Sequence, residues 1–232
     1  MVKKRSKRNV KRSELVNRQK QYTLEEAIQT IKKIADSKFD ESVSLNFQLG
    51  IRAEQSDELV RGTVVLPHGS GKKMRVICIC KGEGAREAGE QGADAVGAED
   101  LIQKISEGWL EFDAVVAHPD MMRDLSKLGR ILGPKGLMPS PKAGTVTPNV
   151  GRAVKELKGG RVEFRSDKTG GLHVICGKLS FAENALIENA NVVIRAVRDA
   201  KPAAAKGDYL KKITLAPTQG PGFRISISAV AA

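Results

Sequence analysis

The residues best placed to do chemistry in this chain are cations carried on stiff backbone. Residues 126–142, SKLGRILGPKGLMPSPK, hold Lys127, Arg130, Lys135 and Lys142 with three glycines, three prolines and no acid. Glycine and proline enforce exposed turns, and unopposed positive charge on such a loop suits the phosphate oxygens of a nucleic acid. A second basic stretch lies at residues 1–20, where nine Lys or Arg stand against Glu14 alone. It lacks the apolar centre of a secretory signal and the spaced leucines of an amphipathic presequence, so it reads as a phosphate-contacting arm.

Catalytic chemistries fail on spacing. Gly82-Glu83-Gly84 resembles the start of a dinucleotide loop, but Glu87 stands where the third glycine belongs and would repel a pyrophosphate. Gly71-Lys72 fails as a phosphate loop because Leu66 replaces the first glycine and Lys73 the magnesium-binding hydroxyl. His68, His118 and His173 fall in separate segments, and Cys78, Cys80 and Cys176 have no C-x-x-C spacing. Neither a metal site nor a disulfide framework is expected. No Gly-x-Ser-x-Gly elbow occurs, and the acids are scattered. An enzyme is therefore not expected, and no cofactor.

The bulk numbers agree with a polyanion partner. The chain has 232 residues, 39 Lys plus Arg against 27 Asp plus Glu, and a net charge of +12. It contains no apolar run of membrane-spanning length, so a soluble intracellular protein is expected. Aromatic residues are only 4% of the chain, too few for base-stacking platforms, so recognition should rest on folded RNA shape and backbone.

The elements that must position these residues follow from periodicity. Thr23 and Glu26 at capping-box spacing, followed by Leu24, Ala27, Ile28, Ile31 and Ile34, predict a helix over 23–36. Val43, Leu45, Phe47 and Leu49 then alternate with polar residues, as in a sheet with one solvated face. A further strand is expected near 61–66, ending at Pro67. From 74 the pattern changes: the continuous apolar run MRVICIC, helices near 84–91 and 99–107 and an apolar strand at 113–117 predict a small parallel α/β unit. The Gly- and Pro-rich loop over 129–144 and one more helix, closed by Gly159 and Gly160, complete it.

Beyond residue 160 the two-residue period returns. Strands at 161–165 and 172–176 flank the turn-forming stretch 166–171, which predicts a hairpin. Ser180 and Glu183 predict the start of a helix with the stripe Leu186, Ala190, Val193, Val197 and Ala200. Two alternating strands, 209–216 and 223–229, close the chain. Neither flank alone can close a core, so the economical fold joins residues 1–67 with 160–232 into one composite domain, residues 68–159 being inserted through Gly-rich connections able to act as a hinge. Net charge is +5 over 1–67, +2 over 68–159 and +5 over 160–232.

At residues 128–139, LGRILGPKGLMP, the chain resembles the large-subunit ribosomal protein family that forms the mobile stalk beside the tRNA exit site, number one in the standard series. The likeness extends to Lys38-Phe39-Asp40-Glu41, Val60-Arg61-Gly62-Thr63, Leu66-Pro67-His68-Gly69, Gly108-Trp109, 112–117, 142–146 and 164–170. These run in order over nearly the whole chain and favour the bacterial type. The resemblance implies a discontinuous α+β domain carrying both termini, with an inserted Rossmann-like three-layer α/β domain. It implies binding to a helical junction of large-subunit rRNA, help to deacylated tRNA leaving the ribosome, and repression of the protein's own messenger through an rRNA-like site.

Carried onto matching positions, the rRNA contacts would be Lys38, Phe39 and Ser42, then Arg61, Lys168 and Thr169, and finally Thr218, Gly220 and Pro221. Lys127, Arg130, Lys135 and Lys142 would meet tRNA or other RNA. Pro67, His68, Gly69, Gly159 and Gly160 would form the hinge. The family commonly reads Thr-Thr-Met-Gly at the last turn, where this chain has Pro217-Thr218-Gln219-Gly220. Pro217 lacks an N–H donor and Gln219 replaces an apolar side chain, so the contact there differs in detail. A repressor that acts only on messenger, or a nucleotide-using enzyme, are the alternatives that ribosome cosedimentation and nucleotide binding would separate.

Overall fold

The computed structural model describes residues 10, 12, 16–17, 19–52, 58–203, 205 and 207–227. Helices and strands mix as in an α+β fold. The elements are α1 (Leu24–Ile34), β1 (Ser42–Leu49), β2 (Arg61–Val65), β3 (Val76–Ile79), α2 (Glu83–Glu90), β4 (Ala95–Gly97), α3 (Glu99–Ser106) and β5 (Ala114–Ala117). After short helical turns come α4 (Val150–Lys158), β6 (Arg161–Arg165), β7 (Gly171–Lys178), α5 (Glu183–Asp199), β8 (Leu210–Pro217) and β9 (Phe223–Ile225). Backbone contacts divide the chain into two compact units, Met1–Gly71 with Val162–Ala232, and Lys72–Arg161. No described helix is long and apolar enough to cross a membrane.

The first unit is built on an antiparallel sheet of order β7-β1-β8-β9. Thr23 caps α1, its hydroxyl accepting the Glu26 N–H at 3.2 Å, while Glu25 and Glu26 in the first turn and Lys32 and Lys33 in the last complement the helix dipole. The α1 stripe of Ala27, Ile28 and Ile31 packs in one core with Val43, Leu45 and Phe47 of β1, Leu172 and Val174 of β7, and Ala190, Val193 and Val197 of α5. Strand β1 is buried on alternate residues, which leaves its other face toward solvent.

Two local expectations are corrected. The segments 161–165 and 172–176 do not form a hairpin ladder: β6 pairs with β2 and β7 with β1, and only a single bridge joins Ser166 to Leu172. The cause is the intervening turn, where the Asp167 carboxylate accepts from the Thr169 N–H at 2.8 Å and the Gly171 N–H at 2.7 Å. The Gly170 carbonyl meanwhile accepts from Leu49 N–H at 2.8 Å, which draws the turn onto the end of β1. Ser180 is not the cap of α5, whose cap residue Ala182 makes no side-chain bond. The Ser180 hydroxyl and N–H donate instead to Asp40, at 2.8 and 3.1 Å.

The second unit has a parallel sheet of order β4-β3-β5. Every residue of β3 is buried, because its two faces serve two cores. Val76 and Cys78 pack with Ala88 of α2 and with Val150 and Val154 of α4, while Ile77 and Ile79 pack with Leu101 and Ile105 of α3 and with Leu125 and Leu132. Residues 129–144, expected as an irregular loop, contain helical turns at Gly129–Leu132 and Pro141–Ala143, and a further turn at Ser126–Leu128 precedes them. Leu128, Leu132 and Ala143 are buried and anchor them.

Candidate RNA interface

The loop from α1 to β1 and the turn from β8 to β9 meet in the first unit. Ser42 and Thr218, 176 positions apart, hold each other by two bonds: the Ser42 N–H donates to the Thr218 hydroxyl at 3.0 Å, and that hydroxyl donates to the Ser42 carbonyl at 3.1 Å. This satisfies both backbone groups of Ser42 just where β8 ends in Pro217, which lies opposite Val43. Thr218 therefore retains only acceptor capacity for a ligand. Ser42 Oγ accepts from Lys178 Nζ at 2.8 Å, leaving its own O–H to donate.

Buried polar groups fix these loops from beneath. Glu41 is only 1% exposed; its carboxylate accepts from the Gln219 N–H at 2.8 Å and from the Ser37 hydroxyl. The guanidinium of Arg12 donates to the Gln219 carbonyl and pairs with Asp36. Arg12 is buried, so this one cation of the basic stretch is a peg in the fold and not a phosphate-contacting arm. Lys3, Lys4, Arg5, Lys7, Arg8, Lys11 and Arg18 lie outside the described residues. Lys20 pairs with Glu26 at 3.2 Å and stands 5.0 Å from the Tyr22 ring centre.

On this base Lys38 and Phe39 point outward. Phe39 is 49% exposed and takes no part in the core. Gly220 lets the turn close on itself, since a Cβ there would sit 2.3 Å from the Pro217 ring. Lys168 and Thr169 are not part of this cluster. They lie at the far end of β1, where Gln48 Nε2 donates to the Thr169 carbonyl at 3.1 Å. Hydrogen bonds from the Thr169 hydroxyl, first of all, and from the Gly171 and Thr169 N–H groups hold Asp167 below the usual carboxylate range. Arg61 adjoins this second cluster through Val60, whose N–H donates to Ser166 Oγ at 3.0 Å. Its guanidinium is paired with Glu163 at 2.7 Å, so its charge is locally offset.

The remaining expected residues fall elsewhere. Arg130, Lys135 and Lys142 are exposed and make no ion pair among the described residues, whereas Lys127 pairs with Asp124 at 3.0 Å. Pro67, His68 and Gly69 are held in the first unit by Asn189. Its amide donates to the Gly69 carbonyl at 3.0 Å and accepts the His68 N–H at 3.1 Å. Gly159 and Gly160 close α4, Gly160 with φ of 102°. Asn189 was missed in the sequence, although it falls on the apolar stripe of α5, where a polar side chain signals an interior bonding task.

The three thiols, Cys78, Cys80 and Cys176, are buried. Burial pushes the Cys176 thiol up to about 12 and raises Cys78 and Cys80, which disfavours the nucleophilic thiolate. Among the described residues no group of three His, Cys, Asp or Glu could hold a metal ion.

A basic chain whose loops are shaped by backbone and small polar groups belongs to the RNA-binding class. More particularly, it belongs to the Ribosomal protein L1p/L10e family, whose sequence model matches residues 31–221. Membership makes it a structural ribosomal protein that binds rRNA and associates with the ribosome.

Proposed function

We propose that the chain is a non-catalytic constituent of the large ribosomal subunit, of the bacterial type and cytoplasmic, whose composite domain, residues 1–67 with 160–232, grips a helical junction of large-subunit rRNA at the stalk beside the tRNA exit site. The inserted Rossmann-like domain, residues 68–159, swings on Pro67–Gly69 and Gly159–Gly160 to assist release of deacylated tRNA. The same rRNA-binding surface represses the protein's own messenger by accepting an rRNA-like site. The reading is supported above all by the mutual bonds of Ser42 and Thr218, which join two remote segments into one surface beside the exposed Phe39. In it, Lys38, Phe39, Ser42, Thr218, Gly220 and Pro221 meet one part of the junction and Arg61, Lys168 and Thr169 another.

Filter binding to a large-subunit rRNA stalk fragment tests it. Affinity well above that for unrelated duplex RNA is expected; equal affinities would defeat it.

A further inference from the structure

Between the two loop clusters lies a surface to which the proposed contacts assign nothing. Strand β1 turns Ser44, Asn46 and Gln48 away from the core, and the register gives each its neighbours. Asn46 stands between His173 of β7 and Thr214 of β8, and Thr214 stands opposite Arg224 of β9. Ser44 stands between Ile175, which is 46% exposed, and Ala216. The four strands contain no Asp or Glu, in a chain with 27 acids, and they carry Lys178, Lys211, Lys212 and Arg224. Strands without acids that turn small polar side chains outward admit a polyanion closely.

At its centre the hydrogen bonds orient a histidine. Asn46 Nδ2 donates to the Thr214 carbonyl at 3.4 Å, and a carbonyl only accepts, so the amide is turned with Oδ1 toward β7. That Oδ1 lies 2.8 Å from His173 Nδ1, which must carry the proton of the neutral ring. Nε2 is then an acceptor on an exposed side chain. A ribose 2′-hydroxyl is the donor that such an acceptor meets in the wide, shallow minor groove of RNA, and DNA lacks it.

We infer that the outer face of this sheet is part of the RNA interface, and that His173, positioned by Asn46, accepts a 2′-hydroxyl and so selects RNA. The inference rests on the reading that residues 38–42, 168–169 and 218–221 meet RNA. Those clusters sit at opposite ends of β1, about 20 Å apart at the rise of a strand, so one RNA engaging both crosses the row of Asn46 and His173. Ile175 and Ala216 offer it an apolar strip for a ribose.

The test uses the full chain, the rRNA stalk fragment and copies of that fragment bearing single 2′-deoxy substitutions. Wild-type protein should lose about tenfold in affinity at one crossing nucleotide. His173→Ala should lose about tenfold on all-ribose RNA and become indifferent to that substitution. Asn46→Leu, which frees the ring to turn, should flatten the same profile, and neither variant should change the salt slope. His173→Gln, which keeps an outward acceptor, should recover part of the loss. His173 is exposed, so its variants should keep the wild-type melting temperature. If Phe39→Ala and Lys168→Ala weaken binding while His173→Ala and Asn46→Leu keep the wild-type affinity and deoxy profile, the inference is overturned and the reading beneath it stands. If none of the four variants weakens binding, that reading fails as well.

Discussion

The loops around Ser42 and Thr218 and the basic segment 126–142 are both candidate RNA contacts, yet they are built in opposite ways. In the first, nearly every polar group already has a protein partner: Thr218 with Ser42, Gln219 with Glu41, Asp36 with Arg12. In the second, Arg130, Lys135 and Lys142 are exposed and unpaired among the described residues. The first surface is fixed before it binds and can discriminate by shape; the second offers charge, which attracts any phosphate chain and weakens with salt.

The largest effect should come from removing the peg beneath the shaped surface. Glu41→Ala strands the Gln219 N–H and the Ser37 hydroxyl without their acceptor and should cost about 3 kcal/mol in urea unfolding. A loss under about 1 kcal/mol would mean that the loops hold their form without it. Phe39→Ala should leave stability unchanged, because the ring is largely exposed, and should weaken binding to the stalk fragment by about 1 to 3 kcal/mol without altering the salt slope. Loss of stability without loss of binding would return Phe39 to a structural role.

The charged loop should behave differently. Lys135→Ala should lower affinity for related and unrelated RNA alike and reduce the salt slope by about one unit. An effect confined to the stalk fragment would make that loop a reader of shape too.

A smaller, pH-dependent effect is expected inside the second unit. The Lys72 ammonium, bonded at 2.8 Å, with Arg75 beside it, holds the Asp113 carboxyl down to about 2, against 3.8 ordinarily. A depressed carboxylate contributes stability above its unfolded pKa and loses it as pH falls through the folded one. Asp113→Asn should therefore cost about 1 kcal/mol at neutral pH, with the difference from wild type shrinking between pH 4 and 2. A constant difference across that window would assign the effect to packing.

Much of this fold is legible in the chain wherever one element's own pattern decides it. The spacing from Thr23 to Ile34, the alternation of 43–49 and the unbroken run at 76–79 each correspond to the element observed. The errors arise where a remote partner decides. Ser180 has the spacing of a helix cap but bonds Asp40, 140 positions away. The stretch 166–171 has the composition of a hairpin turn, but Leu49 and Val60 draw its two strands to different partners. Of the candidate site, the residue types and the basic loop can be read directly, while the contact set comes from resemblance. The bonds joining Ser42 to Thr218, the buried place of Arg12 and the orientation of His173 depend on tertiary pairing that local pattern does not encode.

The most direct test of the whole account is the affinity of the intact chain for the rRNA stalk junction and for a duplex of equal length and charge, both measured at one physiological salt concentration. A preformed, shape-reading surface predicts that the junction binds at least about a hundredfold tighter. Equal affinity for the two RNAs would mean that only charge is being read.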